Sequence, residues 1–376
     1  MNSNDFDVII IGGGPAGSIA GINLANAGVN TAIIERKIFP RETLCGEFLS
    51  VEVTNHLKEL NLFEKFISLN PNKITSFRLI TSNEKILNAN LPFEGYSLKR
   101  SVFDHFLLNE AKESGVKIFQ PAEVKAVQKQ KDNFILQFKN ENEIKNLSGK
   151  VVIGAYGKSN ILDKKLNRNF YQRRSGYTGI KFHLNKKLLS GICDSVIYIF
   201  SGHNIYCGVN TVSRDEATVC YLMKKNLHES PKEQFENLIK GNKNFASFFN
   251  EEDFDLTRQE IYGMGNIYFG KKDLSPEGII MIGDAAGMIA PLTGDGIGMA
   301  FQSAKIAAEI TADCINKKID CQQSRNIYQV EWERQFKKRI LIARGIQNII
   351  LNNYFDKIPS GLVRLLIPPS ISATRN

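Results

Sequence analysis

Uninterrupted apolar runs alternate with amphipathic stretches along the first part of the chain. The run DVIII, residues 7–11, is β-branched and continuous, as in a strand buried on both faces of a parallel sheet. Small and apolar residues then recur at helical spacing until Gly28, a natural helix C-cap, and NTAIIER returns as a short strand. Strand, glycine turn, helix and strand in about thirty residues predict a βαβ unit.

The middle of the chain changes its pattern twice. Residues 101–114 form an amphipathic helical pattern closed by Gly115, and the strand-like KIF follows. Apolar and polar residues then alternate in short runs, which predicts a small antiparallel sheet ending in a buried strand at 151–153. Between 174 and 265, four further strand-like runs (YTGIKFHL, DSVIYIF, IYCGVNTV and ATVCYLM) precede a helical stretch at 232–239, which predicts a second domain.

The last third returns to the first pattern. GIIMIGDAAG is a continuous apolar run followed by a glycine turn, GIGMAFQSAKIAAEITADCI is a small-residue helix, and residues 322–350 are helical and basic. The predicted fold is α/β, with a Rossmann-like dinucleotide-binding domain split in sequence, an inserted mixed-sheet α+β domain and a helical C-terminal region. The expected boundaries are 1–75, 101–160 and 266–320 for the dinucleotide-binding parts, 76–100 and 161–265 for the inserted domain, and 321–376 for the C-terminal region.

Composition narrows the classes of function. The net charge is +9, but the basic residues are spread along the chain without a nucleic-acid motif, so we expect anionic cofactors rather than nucleic acid. No run of about 18 apolar residues occurs, so we do not expect a membrane-spanning helix. The polar and acidic start MNSNDFDVII is the wrong order for a secretory signal, so we expect a cytoplasmic protein.

Cysteine and histidine spacing gives no indication of a metal site. The six cysteines form no CxxC pair and the five histidines form no HxxxH pattern, so we predict that no metal is bound. In a reducing compartment the cysteines are expected to be free thiols, and all except Cys45 are expected to have buried structural roles.

The first glycine turn fits a dinucleotide pyrophosphate. Gly12 permits the tight turn, Gly14 lets the backbone approach the phosphates, and Gly17 lets the helix pack on the strand. Pro15 and Ala16 lie within the same helix start, whose dipole favours negative charge. Glu35 ends the second strand and can accept hydrogen bonds from a ribose diol. Together these features predict a dinucleotide site.

The second glycine turn indicates which dinucleotide binds. Gly283 and Asp284 end a strand, where a carboxylate can bind polyol hydroxyls. A glycine-rich helix start presents amides and positive dipole to an electron-rich ring edge. The carboxylate matches the ribityl hydroxyls of a flavin, and the helix start matches the anionic edge of its reduced ring, so we predict FAD. The residues of this helix start are Pro291, Gly294, Gly296 and Ile297.

The motifs DVIIIGGGPAG…IIER, FPRETLCGE, KRSVFD, GAYGKSN and GDAAGMIAPLTGDGIGMA together resemble the FAD-dependent superfamily of aromatic hydroxylases, geranylgeranyl reductases and flavin halogenases. The sequences of these motifs are most similar to the geranylgeranyl-reductase-like branch. The resemblance implies that Glu35 and Arg36 meet the adenosine ribose, and that Arg100 lies near the pyrophosphate. It further implies that Val124 contacts the adenine by its backbone and Asp284 the ribityl chain. The alternative for Arg100 is a solvated residue at a helix N-terminus.

Cys45, Gly46 and Glu47 are the candidate catalytic residues. The resemblance places a similar FPR…CGG segment of the reductases beside the isoalloxazine ring, whereas the halogenases have GES after a similar FPR. Gly46 would let the backbone approach the ring closely. Cys45 is expected to contact the flavin or substrate, to act as a proton donor, or only to fill space. The role of proton donor is open to it because a desolvated thiol beside an anionic reduced flavin tends to keep its proton.

Several functions remain open. We predict first a flavin monooxygenase that uses a C4a-hydroperoxide on a small lipophilic, aromatic or polyunsaturated substrate, with NAD(P)H as electron donor. The alternative is a geranylgeranyl-reductase-like C=C reductase that transfers hydride from flavin N5. Tyr156 replaces the acid usual in the Gly-Ala-Asp-Gly motif, which raises a third possibility, a flavoprotein served by a separate flavin reductase. Halogenation is disfavoured because the tryptophan motif that the resemblance implies for halogenases is absent: the sole tryptophan, Trp332, lies in the C-terminal helical region.

Two segments bear on the substrate. The sequence places six aromatic residues at alternating spacing in the inserted domain, either as ordinary core or as one apolar face over the flavin: Tyr177, Phe182, Tyr198, Phe200, Tyr206 and Tyr221. The tail SGLVRLLIPP, with Arg344 and Arg364 nearby, has the composition of a peripheral membrane contact, but we expect it to pack as a short C-terminal segment.

Overall fold

A computed structural model describes residues 4–141, 143–173, 175–225, 228–249 and 255–354. In the described part, the strands in chain order are β1 (Asp5–Ile11), β2 (Thr31–Ile34), β3 (Phe48–Leu49), β4 (Asn72–Ile80), β5 (Ile86–Ser97), β6 (Lys117–Phe119), β7 (Ala122–Lys129), β8 (Phe134–Asn140), β9 (Glu143–Gly154), β10 (Tyr177–Asn185), β11 (Val196–Gly202), β12 (Ile205–Thr211), β13 (Glu216–Lys224), β14 (Tyr262–Gly265), β15 (Gly270–Lys271), β16 (Ile280–Met281) and β17 (Gly287–Met288). The α-helices are α1 (Pro15–Asn26), α2 (Val51–Glu59), α3 (Phe63–Ile67), α4 (Arg100–Glu113), α5 (Ile161–Lys165), α6 (Pro231–Lys240), α7 (Lys243–Ala246), α8 (Gly296–Ile315) and α9 (Cys321–Leu351).

The first sheet has the order β6-β2-β1-β9-β8-β7, with β16 beside β9. Strands β6, β2, β1, β9 and β16 run parallel, while β7, β8 and β9 are antiparallel. Helix α1 packs between β2, α4 and α8, and its small residues keep nearly all of it buried. Because β16 comes from the last third of the chain and β1 from its start, the domain is assembled from separated segments, and the predicted fold class is confirmed.

The second sheet has the order β14-β10-β13-β12-β11-β4-β5-β3 and is antiparallel except between β11 and β4. One face packs against α6 and α7 through an aromatic cluster. The opposite face is largely aliphatic and looks toward the first sheet and the end of α9. The two faces therefore differ in chemistry, and the face turned away from the helices is the one available to a cofactor or substrate.

Of the two alternatives for the six aromatics, the one that places all of them on a single apolar face is wrong. Phe182, Tyr198, Phe200 and Tyr221 belong to the aromatic cluster against α6 and α7, whereas Tyr177 and Tyr206 belong to the opposite face. Successive residues of one strand point to opposite faces, so Tyr177 and Phe182 on β10 cannot share a face. Four of the six are ordinary core, and aliphatic residues such as Ile197 and Ile199 form the other face.

Helix α9 spans Cys321–Leu351 and packs on the first domain at one end and on the second sheet at the other. Asp320 caps its start by accepting hydrogen bonds from the backbone of Gln322 and Gln323, both at 2.7 Å. Trp332 and Phe336 are buried on the inner face of this helix. None of the helices in the described ranges combines the length and apolarity that a membrane-spanning helix needs. The segment SGLVRLLIPP and Arg364 lie outside the described residues.

The expected boundaries of the domains remain a proposal. Strands β10 to β14 and β5 fall within the ranges 76–100 and 161–265 expected for the inserted domain, but β4 begins at Asn72 and β3 lies still earlier. The expected burial of the cysteines other than Cys45 is wrong for Cys193 and Cys321, which are exposed because one lies in a turn and the other begins α9.

The imidazole of His56 makes the protein sensitive to acid. This side chain is buried on α2 and packs edge-on against the Phe301 ring, with ring centroids 5.7 Å apart. Burial lowers the pKa of His56 to about 4, whereas an unfolded chain has a histidine pKa of about 6.5. Between these values the unfolded chain binds more protons, so the free energy of unfolding falls by about 3 kcal/mol as the pH decreases from 6.5 to 4.

We therefore expect His56→Leu to reduce the stability lost between pH 7 and pH 4.5, measured by urea unfolding. His203→Gln, at an exposed histidine, serves as the control and is expected to leave that loss unchanged. An equal acid-side loss in the wild type and in His56→Leu would contradict this assignment.

Candidate functional site

The first glycine turn is closed so tightly that side chains are excluded from it. Gly12 has φ 107°, and a Cβ there would lie 2.5 Å from the Ala155 carbonyl oxygen. A Cβ on Gly17 would lie 1.9 Å from the Gly12 carbonyl oxygen. Gly14, by contrast, has φ −71° and only the end of Arg41 nearby, at 3.5 Å. Gly12 and Gly17 therefore fix the shape of the turn, while Gly14 leaves space in front of it.

The two glycine turns meet although they are remote in the chain. Gly283 has φ 57°, and a Cβ there would approach the Cβ of Ala16 to 2.9 Å. The Gly283 backbone N–H donates to Ser303 Oγ at 2.9 Å, which ties the turn to α8. Between the turns runs a cleft of about 620 Å³. The sequence-predicted residues that line it are Gly12, Gly14, Pro15, Ala16, Glu35, Arg36, Cys45, Gly46, Glu47, Arg100, Val124, Asp284, Pro291, Gly294, Gly296 and Ile297.

The carboxylate of Glu35 lies at one end of the cleft, after β2. It accepts hydrogen bonds from the backbone N–H groups of Gly13 and Lys37, each at 2.7 Å. Only 5% of the residue is exposed, so its orientation is fixed by these two bonds. Val124 lies beside this end on β7, next to an irregularity in the pairing with β8. The arrangement suits a ribose and an adenine-sized ring.

Arg100 is buried rather than solvated, which overturns the alternative reading of this residue. Its guanidinium donates to both oxygens of Asp104, at 2.6 and 2.8 Å. Burial alone would lower the pKa of Arg100, but the charge of Asp104 outweighs it and raises the pKa. Arg41 reaches the same carboxylate at 3.1 Å, and its own pKa is lowered by burial. Sequence reasoning missed Arg41 as a site residue, although it stands in the quoted FPR segment.

Two lysines fasten the far side of the cleft. Lys272 is buried, and its ammonium donates to the carbonyl oxygens of Lys158 and Asp284, at 2.7 and 2.8 Å. Burial lowers the pKa of Lys272 to about 8. Lys158 donates to the carbonyl oxygen of Leu44 at 3.0 Å and lies 3.4 Å from Asp284 Oδ2. These contacts hold the Asp284 carboxylate at the cleft wall. Sequence reasoning missed both lysines, although Lys158 stands in the quoted GAYGKSN segment.

Tyr156, which replaces the expected acid, has a carboxylate beneath it. Its hydroxyl donates to Asp163 at 2.9 Å and accepts from Arg168 at 3.1 Å. Asp163 and Arg168 are themselves paired at 2.7 Å and buried. Burial raises the pKa of Tyr156. The position therefore presents a neutral phenol to the cleft, and the negative charge lies one layer deeper and is paired.

Glu47 fixes the turn formed with Cys45 and Gly46. It has a left-handed backbone (φ 62°), is fully buried, and its N–H donates to Cys45 Sγ at 3.3 Å. Its carboxylate accepts from the Arg100 backbone N–H at 2.8 Å, from Lys181 at 2.5 Å and bonds to His183 at 2.7 Å. Burial by itself raises the pKa of Glu47, but the hydrogen bond to His183 and the charge of Lys181 hold it below its ordinary value.

Lys181 and His183 come from β10, so the contact ties the loop before β3 to a strand near the opposite end of the second sheet. We call Glu42, Glu47, Lys181 and His183 the Glu47 cluster. Burial lowers the pKa of Lys181, yet the charges of Glu47 and Glu42 raise it overall. Among the described residues, this cluster also contains the one set of side chains spaced for a metal ion, Glu42, Glu47 and His183. The Lys181 ammonium is bonded to both carboxylates there, at 2.5 and 2.6 Å, and already supplies the cation.

A second, apolar cavity of about 430 Å³ opens from the cleft. Its walls are the aliphatic face of the second sheet and the last turns of α9, with Phe77, Leu79, Ile197, Ile199, Leu222, Ile346 and Ile349 among the lining residues. The cleft and the cavity share a boundary formed by Leu44, Cys45, Gly46, Phe48, Lys158, Met288, Pro291 and Gly294. Cys45 and Gly46 thus stand between a polar cleft and an apolar chamber.

These features define the class of protein. Glycine turns that a Cβ would fill, a helix start facing the cleft, an acid for a ribose and an acid at the strand end fit a dinucleotide with a flavin at its second end. An apolar chamber against the flavin end fits an enzyme that acts on a separate substrate. The protein is an FAD-dependent oxidoreductase.

Comparison with known proteins agrees with this class. The family described as FAD binding domain matches residues 5–318, and the chain belongs to that family. It is 25% identical over 370 residues to digeranylgeranylglycerophospholipid reductase 3 of Methanosphaera stadtmanae, covering 93% of this chain and 88% of the relative. It is 26% identical over 350 residues to 1H-pyrrole-2-carbonyl-[peptidyl-carrier protein] chlorinase of Pseudomonas fluorescens, covering 82% and 76%.

A solved structure shows the same fold. The geranylgeranyl bacteriochlorophyll reductase-like protein of Thermoplasma acidophilum superposes with a TM-score of 0.78 at 22% identity, covering 94% of this chain and 90% of the other. Together with the sequence relatives it confirms the similarity to the reductases and the halogenases that the sequence indicated, and the family match confirms FAD as the cofactor.

Proposed function

We propose that this protein reduces a carbon–carbon double bond in a lipophilic, polyunsaturated substrate. The observation that carries the proposal is the apolar cavity, which meets the FAD cleft at Cys45 and Gly46. Aliphatic walls bind a hydrocarbon chain and exclude water from the reacting bond. The reductases among the relatives support this choice over the monooxygenase that the sequence predicted first.

The chain's residues would hold FAD along the cleft. The two glycine turns offer backbone to the pyrophosphate, Glu35 and Arg36 take the adenosine ribose, and Asp284 takes the ribityl hydroxyls. When bound and reduced, FAD supplies a hydride. Addition of hydride to a double bond leaves one carbon in need of a proton, so the protein must provide an acid at the boundary of the two cavities.

Cys45 is the acid we assign. It stands on the shared boundary, and its sulfur accepts a hydrogen bond from the Glu47 N–H and interacts with the Arg100 guanidinium. Both groups stabilise the sulfur after its proton has moved to carbon. One hydride and one proton thus add across the double bond, and the thiolate regains its proton from solvent. Glu47 acts through the turn it fixes and is a positioning residue.

The proposal is tested by following products under controlled atmosphere. Purified holoprotein is mixed with NADPH or NADH under nitrogen, and geranylgeranyl lipids are then added. We expect bleaching of the flavin by a nicotinamide, reoxidation by the lipid, and a product heavier by two hydrogens in mass spectra. A product heavier by one oxygen, formed only in air, would contradict the proposal. Bleaching only in the presence of a second protein would indicate a partner reductase.

Cys45→Ala is expected to lower the rate of lipid reduction about 100-fold, the usual contribution of a positioned acid. Flavin content should be unchanged, because the Cys45 side chain supports neither glycine turn. Cys220→Ala is the matched control, since Cys220 is another free thiol lining the cavity. Equal losses in the two variants, or none in Cys45→Ala, would remove Cys45 from this role.

An oxygen-dependent reaction is the second candidate, and it includes the monooxygenation that the sequence predicted. Lys158 is the observation that favours it, because its ammonium borders both the cleft and the apolar cavity. A cation in that position could hydrogen-bond a polar oxidant at the substrate. The chlorinase relative belongs to the same family, so the test above is repeated in air with chloride or bromide, followed by mass spectrometry for oxygenated or halogenated products.

A further inference from the structure

A line of polar side chains crosses the cavity face of the second sheet. His183 of β10 is paired with Thr218 of β13, and Thr218 is paired with Asn210 of β12. Directly paired residues on neighbouring strands point to the same face. The line starts at His183 in the Glu47 cluster and ends at Asn210, which lines the apolar cavity.

Asn210 brings an unsatisfied amide into this cavity. The residue is 3% exposed, and within the described part of the chain its Nδ2 has no hydrogen-bond partner. Leaving a buried donor unpaired costs about 1–3 kcal/mol. Two other polar side chains at the cavity do have partners, since Lys158 donates to the Leu44 carbonyl and Thr293 to the Ala290 carbonyl. The buried Tyr206 hydroxyl at the cavity has no hydrogen-bond partner among the described residues either. Asn210 is therefore a donor that the folded chain leaves available.

Asn210 lies near the flavin end of the cavity. Cys220, which is paired with Gly208 of β12, lines the cavity together with Cys45 of the boundary. Asn210 follows Gly208 on the same face, about 7 Å along the strand. Beyond these residues the cavity continues over aliphatic side chains to Ile346 and Ile349 of α9. A substrate filling the cavity would have its tail on α9 and its reacting end beside Asn210.

We propose that the substrate carries a carbonyl oxygen conjugated to the reacting double bond, and that Asn210 Nδ2 donates a hydrogen bond to it. This inference rests on the proposed function and names its substrate class, a long-chain α,β-unsaturated carbonyl compound. The hydrogen bond satisfies the buried amide and orients the chain. It also stabilises the negative charge that develops on oxygen when hydride adds to the conjugated bond. Asn210 then selects against pure hydrocarbons of the same shape.

Binding to the oxidised holoprotein tests the proposal without turnover. The probes are a polyprenyl enone and the matched diene in which a methylene replaces the carbonyl oxygen, and the readout is the shift of the flavin spectrum on titration. We expect the enone to bind the wild type about tenfold more tightly, the value of one hydrogen bond near the upper end of its usual range. Asn210→Leu should bring the ratio close to one.

Two further variants complete the test. Asn210→Val is measured in parallel, so that the result does not depend on one variant retaining FAD. Thr218→Val removes the neighbouring hydroxyl, which does not line the cavity, and should keep the preference. A preference that survives in both Asn210 variants, or is lost in Thr218→Val, overturns the assignment. Equal binding of both probes by the wild type overturns the carbonyl and leaves the reductase proposal standing, whereas binding of neither probe overturns both.

Discussion

Glu47→Ala is expected to lower the free energy of unfolding by about 3 kcal/mol at pH 7. The carboxylate is fully buried and satisfies Lys181 and His183, so its removal leaves a buried ammonium with one partner fewer. Glu42 still pairs with Lys181, which keeps the loss at the lower end of the range for broken buried ion pairs. Urea unfolding of the holoprotein measures the change, and the visible spectrum reports the altered flavin environment.

The dependence on pH follows from the two shifted pKa values. Glu47 has a lowered pKa, so its contribution is complete above about pH 4.3 and is lost as the pH falls through the folded value. Lys181 has a raised pKa, so its contribution is complete below about pH 10.4 and is lost above. The difference between wild type and Glu47→Ala should therefore shrink as the pH falls below about 4.3 and as it rises above about 10.4.

Two further variants distinguish the buried pair from an ordinary charge. Glu47→Ala combined with Lys181→Met should be more stable than the sum of the single changes predicts, because neither Glu47 nor Lys181 is then left buried without the other. Asp194→Ala breaks a surface pair with Lys186 and should cost less than about 1 kcal/mol. Strict additivity in the double variant would show that Glu47 and Lys181 are not coupled.

Gly14→Val is expected to fold and yet to weaken FAD binding by about 100-fold, or about 2.7 kcal/mol. Its φ of −71° is open to any residue, and the nearest atom to a Cβ is the end of the Arg41 side chain at 3.5 Å. The new side chain would occupy the space in front of the turn where the pyrophosphate must approach. Thermal unfolding measures folding, and titration of the apoprotein with FAD measures affinity.

Two other glycines bracket this result. Gly17→Ala should prevent correct folding, since the Cβ would lie 1.9 Å from a carbonyl oxygen. Gly345→Ala on α9 has open space around it and should bind FAD normally while gaining about 0.5–1 kcal/mol of stability. If Gly14→Val bound FAD as tightly as Gly345→Ala does, the cleft would not be the cofactor site.

The glycine turns and the first sheet were predictable because their determinants are local. Each turn needs glycine at positions where any Cβ would collide, and each buried parallel strand needs a continuous apolar run, so both are written into short stretches of sequence. Helix α4 and helix α9 were expected within one residue of their observed ends for the same reason. Local spacing alone therefore identified the cofactor.

The cavity and its polar residues were not predictable from such spacing. Lys181 and His183 alternate with apolar residues on β10, as ordinary exposed positions would, and only the packing of that strand over the turn at Glu47 buries them. Asn210 acquires its position through pairing with β13, and Ile346 reaches the cavity from a helix far along the chain. Contacts between elements distant in sequence decide these positions, and the hydrophobic periodicity of a single segment does not reveal such contacts.

The second sheet divides its tasks between strands. Strand β10 binds the loop that contains Glu47 through Lys181. Strands β4 and β11 supply aliphatic walls and make no bond to the Glu47 cluster in the described part of the chain. Substitutions on β4 and β11 can thus change the shape of the apolar cavity while the contact between Lys181 and Glu47 is preserved. Proteins with this fold can therefore diverge in substrate without losing the prosthetic group, because the strands that line the chamber are not the strand that holds the loop.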